Sequence, residues 1–277
     1  MKQLPCTDAV SMHISELSGG YPGIPVFHNA SIEARSGDIV TILGPNGSGK
    51  TTLLKTILGL LKAFSGTVTL CNTNMQKATP GERARIVAWV PQLFEPTWSY
   101  SVYDIVSQGR FIHAGPWKQF SRQDQEAIHA ALAAMDLLEH AETPINELSG
   151  GQARRVLIAR ALAQMTPIIA LDEPAAHLDP GRQIELMDIL QNLAHEGKTI
   201  LISLHDINLA YRFATEAVLI KPDGTVLSGK PEKIFDPHNL ETVYETEFFH
   251  GFNEFIGKFS LPLSRSKDLP KNPQNID

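Results

Sequence analysis

The chain has 277 residues, 43% of them hydrophobic and 19% charged, with 24 Lys and Arg against 30 Asp and Glu and a formal net charge of −6. That composition is globular, and it excludes a basic footprint for nucleic acid or for an anionic lipid surface. No run approaches the ~18 apolar residues that cross a bilayer, and the opening MKQLPCTDAV has neither a charged nor an apolar leader pattern, so a soluble, unexported chain is expected.

Alternating Val10, Met12 and Ile14 predict a strand that ends in a turn at Gly19-Gly20-Tyr21-Pro22, with a second strand over 26–33. The β-branched run Ile39 to Leu43 stops at a glycine-rich loop, and helical spacing follows over 50–61. Strands are expected at 65–70 and 86–90, then helices at 101–108, 121–138 and 153–164. Parallel-type buried strands return at 168–171 and 199–203, separated by a helix over 181–195, which is the alternation of a parallel α/β sheet. Asp223-Gly224 predicts a hairpin. The expected organisation is a discontinuous α/β core, 1–93 and 165–248, interrupted by a helical subdomain, 94–164. A Pro-, Ser- and Lys-containing tail over 249–277 is expected to be loosely ordered. Cys6 and Cys71 are the two cysteines, with neither metal-ligand spacing nor a disulfide framework, which suits a reducing compartment.

Gly44-Pro45-Asn46-Gly47-Ser48-Gly49-Lys50-Thr51 has the G-x-x-x-x-G-K-S/T pattern between a predicted strand and a predicted helix. Glycines let backbone N–H groups wrap phosphates, and the helix N-terminus adds partial positive charge. Lys50 is expected on the β and γ phosphates, Thr51 on Mg²⁺ and Thr52 on the α phosphate. By itself this motif leaves kinases, GTPases and motor ATPases open. The apolar segment Pro167 to Leu171 ends abruptly in Asp172 and Glu173. Ligand sites in open α/β sheets lie at the carboxyl ends of strands, so these acids are expected to face the phosphate loop. Asp172 is then the Mg²⁺ partner and Glu173 the group that orients or deprotonates the attacking water.

Leu148-Ser149-Gly150-Gly151-Gln152 opens another predicted helix, with Ser149 able to cap it. A second glycine-led helix start is a second anion site, and a protein that already holds its nucleotide needs a second molecule to use it. With this signature the sequence resembles an ABC-type ATPase. The resemblance implies a P-loop NTPase fold with an ABC-type α/β core, an N-terminal antiparallel β subdomain and a helical insert. It also implies ATP and Mg²⁺ as ligands, and a head-to-tail homodimer in which this signature closes over the partner's γ phosphate. The similar string Leu17-Ser18-Gly19-Gly20-Tyr21 precedes the phosphate loop and reads as a turn, with Tyr21 resembling the family's adenine-stacking aromatic.

Other elements follow from the same resemblance. Gln92, after Val90-Pro91, resembles the glutamine that reaches Mg²⁺ and the attacking water, and His205 in Ser203-Leu204-His205-Asp206 resembles the switch histidine on the γ phosphate. Asp179 in Ala176-His177-Leu178-Asp179 matches the loop that joins the two active sites, although Ala175 and Ala176 replace the usual threonine and serine. Arg154, Arg155 and Arg160 read as a charged helix face. The segments 96–110 and 205–210 resemble the importer ATPases for iron-siderophore, haem, cobalamin and related metal-chelate cargo. That class implies a polytopic permease whose cytoplasmic helix docks near Gln92 to Tyr103, with Trp98, Tyr100 and Tyr103 as candidate contacts. An extracytoplasmic substrate-binding protein acts indirectly, and the chain is placed peripherally on the cytoplasmic face of the inner membrane. An exporter subunit and a soluble, non-transport ABC ATPase are the alternatives.

Overall fold

The computed structural model describes residues 10–92, 99–114, 119–176, 178–254 and 257–263. An antiparallel sheet and a set of helices pack on opposite faces of a second, six-stranded sheet. The first sheet is antiparallel, in the order β2-β1-β4-β5, from β1 (Val10–Tyr21), β2 (Ile24–Arg35), β4 (Ala63–Leu70) and β5 (Thr73–Asn74). The second has the order β10-β9-β3-β8-β7-β6. Its members are β3 (Ile39–Leu43), β6 (Val87–Val90), β7 (Ile168–Asp172), β8 (Thr199–Ser203), β9 (Glu216–Ile220) and β10 (Val226–Gly229). Pairings from β6 through β9 are parallel, and β10 closes the edge antiparallel to β9.

Residues of the parallel strands face two different cores because successive side chains point to opposite faces. Ile39 and Leu43 of β3, Ile169 and Leu171 of β7, and Ile200 and Ile202 of β8 face the helices. Val40 and Ile42, Ile168 and Ala170, and Leu201 face the antiparallel sheet and α1 (Lys50–Ile57). The three central strands are buried at every position, which is why their sequences read as continuous apolar runs. Between β6 and β7 the described chain is helical: α3 (Val102–Ser107), α4 (Phe111–Ala114), α5 (Arg122–Ala134) and α6 (Gly150–Ala163). Arg110 fastens this region from within, donating to Asp124 Oδ1 at 2.9 Å and to the Ala163 carbonyl at 2.8 Å. Beyond β7 come α7 (Pro180–His195), α8 (Ile207–Phe213), α9 (Pro231–Ile234) and α10 (Pro237–Tyr244).

Five features differ from the reading of the sequence. Gly19, Gly20 and Tyr21 continue β1, and the turn falls at Pro22-Gly23. A Cβ on Gly20 would sit 2.1 Å from the Ile24 carbonyl, so the glycine serves close strand pairing. The helix after the phosphate loop stops at Ile57, and Gly59 takes the left-handed conformation (φ +70°) that favours glycine. A further helix, α2 (Pro80–Ile86), shortens the following strand. Thr79 and Glu82 form a reciprocal capping box at its start, with Pro80 in the first turn. The segment expected as a loose tail instead begins with a hairpin, β11 (Phe248–Asn253) and β12 (Gly257–Pro262), in which Phe249 lies opposite Leu261. Cys71, buried just after β4, is disulfide-bonded, which corrects the expectation of no disulfide framework; Cys6 lies outside the described residues. The Asp223-Gly224 hairpin joins β9 to β10 as expected, with Gly224 N donating to the Lys221 carbonyl at 2.9 Å.

Candidate functional site

The carboxyl ends of β3, β6, β7 and β8 lie along one edge of the parallel sheet, and each delivers one part of a polar cluster. From β3 the chain turns through Gly44 (φ +156°), Gly47 (φ +79°) and Gly49 (φ +101°) into α1. A Cβ on Gly49 would lie 2.5 Å from Val26 Cγ1, because β2 leans against the loop there. One on Gly44 would meet Ser48 Oγ at 2.5 Å and the Ile220 carbonyl at 3.0 Å. Ser48 N donates to the Pro45 carbonyl at 3.2 Å, and Ser48 Oγ is buried without a partner. Asn46 is exposed at the loop's outer side, and Thr52 is buried one residue beyond Thr51. Lys50 Nζ folds back to donate to the Gly44 and Pro45 carbonyls at 3.0 and 3.1 Å. Burial lowers the Lys50 pKa, and the nearby Glu173 opposes that shift.

Asp172 ends β7 opposite Ser203, the last residue of β8. Its two oxygens are divided: Thr51 Oγ1 donates to Oδ2 and Ser203 Oγ donates to Oδ1, each at 2.7 Å. Ser203 Oγ also accepts from Glu173 N at 2.8 Å. Glu173 takes a left-handed φ of +49° ahead of Pro174, a conformation that L-residues adopt at a cost of about 1–3 kcal/mol. That turn carries its carboxylate into a ring of donors. Gln92 Nε2 donates to Oε2 at 2.5 Å, His205 Nε2 lies 2.7 Å from Oε1 and Lys50 Nζ lies 3.6 Å from Oε1. The structure therefore gathers Lys50, Thr51, Gln92, Asp172, Glu173 and His205 into one cluster.

Tyr21, 43% exposed, stands at the end of β1 on the hairpin whose other strand carries Val26 to the phosphate loop. The signature lies elsewhere. Ser149 caps α6, accepting from Gln152 N at 3.3 Å while its own N–H donates to Gln152 Oε1 at 3.1 Å. Ser149 and Gly150 are exposed, Leu148 is half-buried, and Gly151 approaches Leu178. No hydrogen bond among the described residues joins Ser149 to the phosphate loop. Asp179 caps α7, accepting from Arg182 N at 3.0 Å. Trp98 lies outside the described residues; Tyr100 is exposed, and Tyr103 packs partly buried against the helical core.

Two residues of the cluster escaped the reading of the sequence. Ser203 was visible only as the last letter of a strand; its role comes from registering opposite Asp172. Arg154 is not part of a solvated face. Its guanidinium donates to the Pro91 carbonyl at 2.5 Å, the Gln92 carbonyl at 3.0 Å and the Asp172 carbonyl at 2.6 Å, and burial lowers its pKa. Its spacing from Leu157 and Ile158, three and four residues on, was the available signal, since those positions share one helix face. Arg155 does face outward, bonding Glu185 at 2.8 Å.

These residues fit a nucleotide phosphate and a divalent cation. Ser48 offers an unused buried hydroxyl, and Thr51 and Asp172 offer two hard oxygens side by side. Among the described residues no three His, Cys, Asp or Glu side chains group to hold a metal alone.

The family model described as ABC transporter matches residues 27–176, a span that runs from the phosphate loop through the signature to Glu173. The chain belongs to the ABC transporter family. Among ABC relatives, it is 35% identical over 269 residues to the iron(3+)-hydroxamate import ATP-binding protein FhuC of Bacillus subtilis (strain 168), covering 96% of this chain and 98% of that one. A metal-chelate type ABC transporter solved in an inward-facing conformation superposes with a TM-score of 0.80 at 27% identity, over 92% of this chain and 98% of the other. A dimeric, post-hydrolysis ATP-binding cassette bound to ADP and phosphate gives a TM-score of 0.69 at 29% identity, over 79% and 98%. As an ABC ATPase, the chain binds and hydrolyses ATP. No helix among the described residues is long and apolar enough to cross a membrane.

Proposed function

We propose that this chain is the ATP-hydrolysing subunit that powers an importer for a metal-chelate cargo of the iron-siderophore, haem or cobalamin class. Two copies close head to tail on two ATP molecules, each phosphate loop facing the other copy's Leu148 to Gln152, and the closure moves a polytopic permease from the cytoplasmic face of the inner membrane. An extracytoplasmic binding protein delivers the cargo. The likeness to an iron-hydroxamate import protein and to a metal-chelate transporter supports import over export.

One observation carries the chemistry: Glu173 is held by Lys50, Gln92 and His205 one residue after Asp172 meets Thr51. All three of its partners are groups that a γ phosphate can draw away. When ATP binds, Lys50 leaves the Gly44 and Pro45 carbonyls for phosphate oxygens, and His205 turns to the γ phosphate. Glu173 is thereby free to orient water in line with the γ phosphorus and to take its proton. Thr51 and Asp172 would hold Mg²⁺, which neutralises charge on the phosphates. Lys50, His205 and Ser149 of the opposite copy stabilise the charge that develops on transfer. Tyr21 stacks on the adenine, and Asp179 meets its counterpart region across the dimer.

The test is affinity purification of the tagged chain from native membranes, with co-purifying proteins identified by mass spectrometry. A polytopic permease in stoichiometric amount, accompanied by a binding protein for a metal chelate, is the expected result. Recovery of soluble partners alone, or of a permease with no binding protein, rejects the importer reading and leaves the ATPase standing.

A further inference from the structure

The switch histidine stands between two anchors. On its N-terminal side, Leu204 N donates to the Ile42 carbonyl at 3.0 Å, tying that segment to β3 beside the phosphate loop. On its C-terminal side, Asp206 caps α8 by accepting from Asn208 N at 2.7 Å and Leu209 N at 3.2 Å. Asn208 then reaches out of the nucleotide-binding core altogether: its Oδ1 accepts from Ser260 N of β12 at 2.8 Å. Ser260 is buried, and its hydroxyl lies 2.9 Å from His250 Nδ1 on the facing strand, so the acceptor meets a donor already fixed within the hairpin. Farther along α8, the Tyr211 hydroxyl donates to the Phe235 carbonyl, holding the helix a second time from the C-terminal segment.

This makes a continuous path from the hairpin to the carboxylate at the centre of the cluster, Ser260 to Asn208 to Asp206 to His205 to Glu173, closing with the 2.7 Å contact of His205 Nε2 and Glu173 Oε1. We propose that Asn208 is a positioning residue for ATP hydrolysis, and that the hairpin β11–β12 serves through it as a brace that sets where His205 stands relative to Glu173. It rests on the reading of His205 as a γ-phosphate contact. Asn208 touches neither nucleotide nor reacting atoms. A side chain that only filled space would have no need of an acceptor aimed at a buried backbone N–H, and misplacing a catalytic group by about 1 Å costs up to about 10²-fold in rate.

The experiment compares steady-state ATP hydrolysis by the full chain carrying His205→Ala, Asn208→Ala, Asn208→Ser or Asn208→Asp, with melting temperature and KM for ATP measured on each. Asn208→Ala is expected to lower kcat about 5–10-fold while KM for ATP stays within about twofold and the melting temperature within a few degrees, since the nucleotide contacts are untouched. Asn208→Ser, too short to span to Ser260, behaves alike and replaces the alanine variant if that one fails to fold. Asn208→Asp keeps the acceptor at the start of a helix, where negative charge is favoured, and restores kcat to within about twofold. Unchanged kcat in both shortened variants, or an aspartate variant as slow as the alanine, overturns the brace. If His205→Ala itself leaves hydrolysis intact, the reading of the site fails instead, so the two failures are distinguishable.

Discussion

Two helices of this molecule begin in glycine, α1 after Gly49 and α6 at Gly150, and they have been equipped in opposite ways. The start of α1 has no side-chain cap; it is surrounded by buried charge, with Lys50, Asp172 and Glu173 all within one hydrogen-bonded cluster. The start of α6 is exposed, carries no acid in its first turn and uses the reciprocal Ser149 and Gln152 bonds to satisfy the N–H groups of those two residues. One end gathers buried charged groups around it, and the other is an exposed, capped surface. The difference is what the proposed head-to-tail dimer requires: each end is one unlike half of a site, and the second half comes from the other copy. Arg154 joins them: four residues after Gly150, it reaches the carbonyls of Gln92 and Asp172.

Breaking the first half should have the largest effect. Glu173→Gln keeps the side-chain volume and the contact with Ser203, and it is expected to lower hydrolysis by about 10²–10⁴-fold while ATP binding persists. Size-exclusion chromatography with ATP should then show the variant as a long-lived dimer; full turnover in this variant would sink the role given to Glu173. The link between the halves comes next. Arg154→Met strips three carbonyls of a charged donor, and a loss of about 2 kcal/mol in unfolding free energy is expected. Denaturant titration measures it, and a change below about 0.5 kcal/mol would mean the guanidinium bonds are not maintained in solution. Smallest is the second half: Gln152→Ala opens the capping box and should cost about 1 kcal/mol, read from the same titration, without altering ATP affinity of the isolated chain. A drop in that affinity would show that α6 already reaches its own nucleotide.

How legible each half was in the sequence follows from how its residues act. Gly44 to Thr51 declares itself because the loop's backbone path demands glycine, and Asp172 and Glu173 declare themselves because two acids abruptly end an apolar strand. Ser149 with Gln152 was legible as a cap for the same local reason. Ser203 and Arg154 were not, since a serine closing a strand and an arginine on a helix acquire meaning only from strand register and from which carbonyls lie opposite. Helix α2 was within reach: Thr79, Pro80 and Glu82 form a complete start signal, overlooked because the helix is short and shows little apolar periodicity. The C-terminal hairpin was misread because Pro262 and the polar residues around it outweighed Phe248, which packs on Tyr244 of α10, and Ser260, which meets Asn208 of the distant α8.

The division of the central sheet between two cores has a consequence for how this protein tolerates change. Along β3, β7 and β8, neighbouring letters belong to different halves of the molecule, so Val40 and Ile39 are adjacent in the gene but answer to different masters. A saturation scan of these strands would separate into two interleaved columns. One column, with Ile39, Ile169 and Ile200, records the fit of the helices against the sheet; the other, with Val40, Ile168 and Leu201, records the seating of α1 and the antiparallel sheet on its opposite face. A drifting lineage could thus retune its mechanical output and its grip on fuel almost independently, one alternate residue at a time.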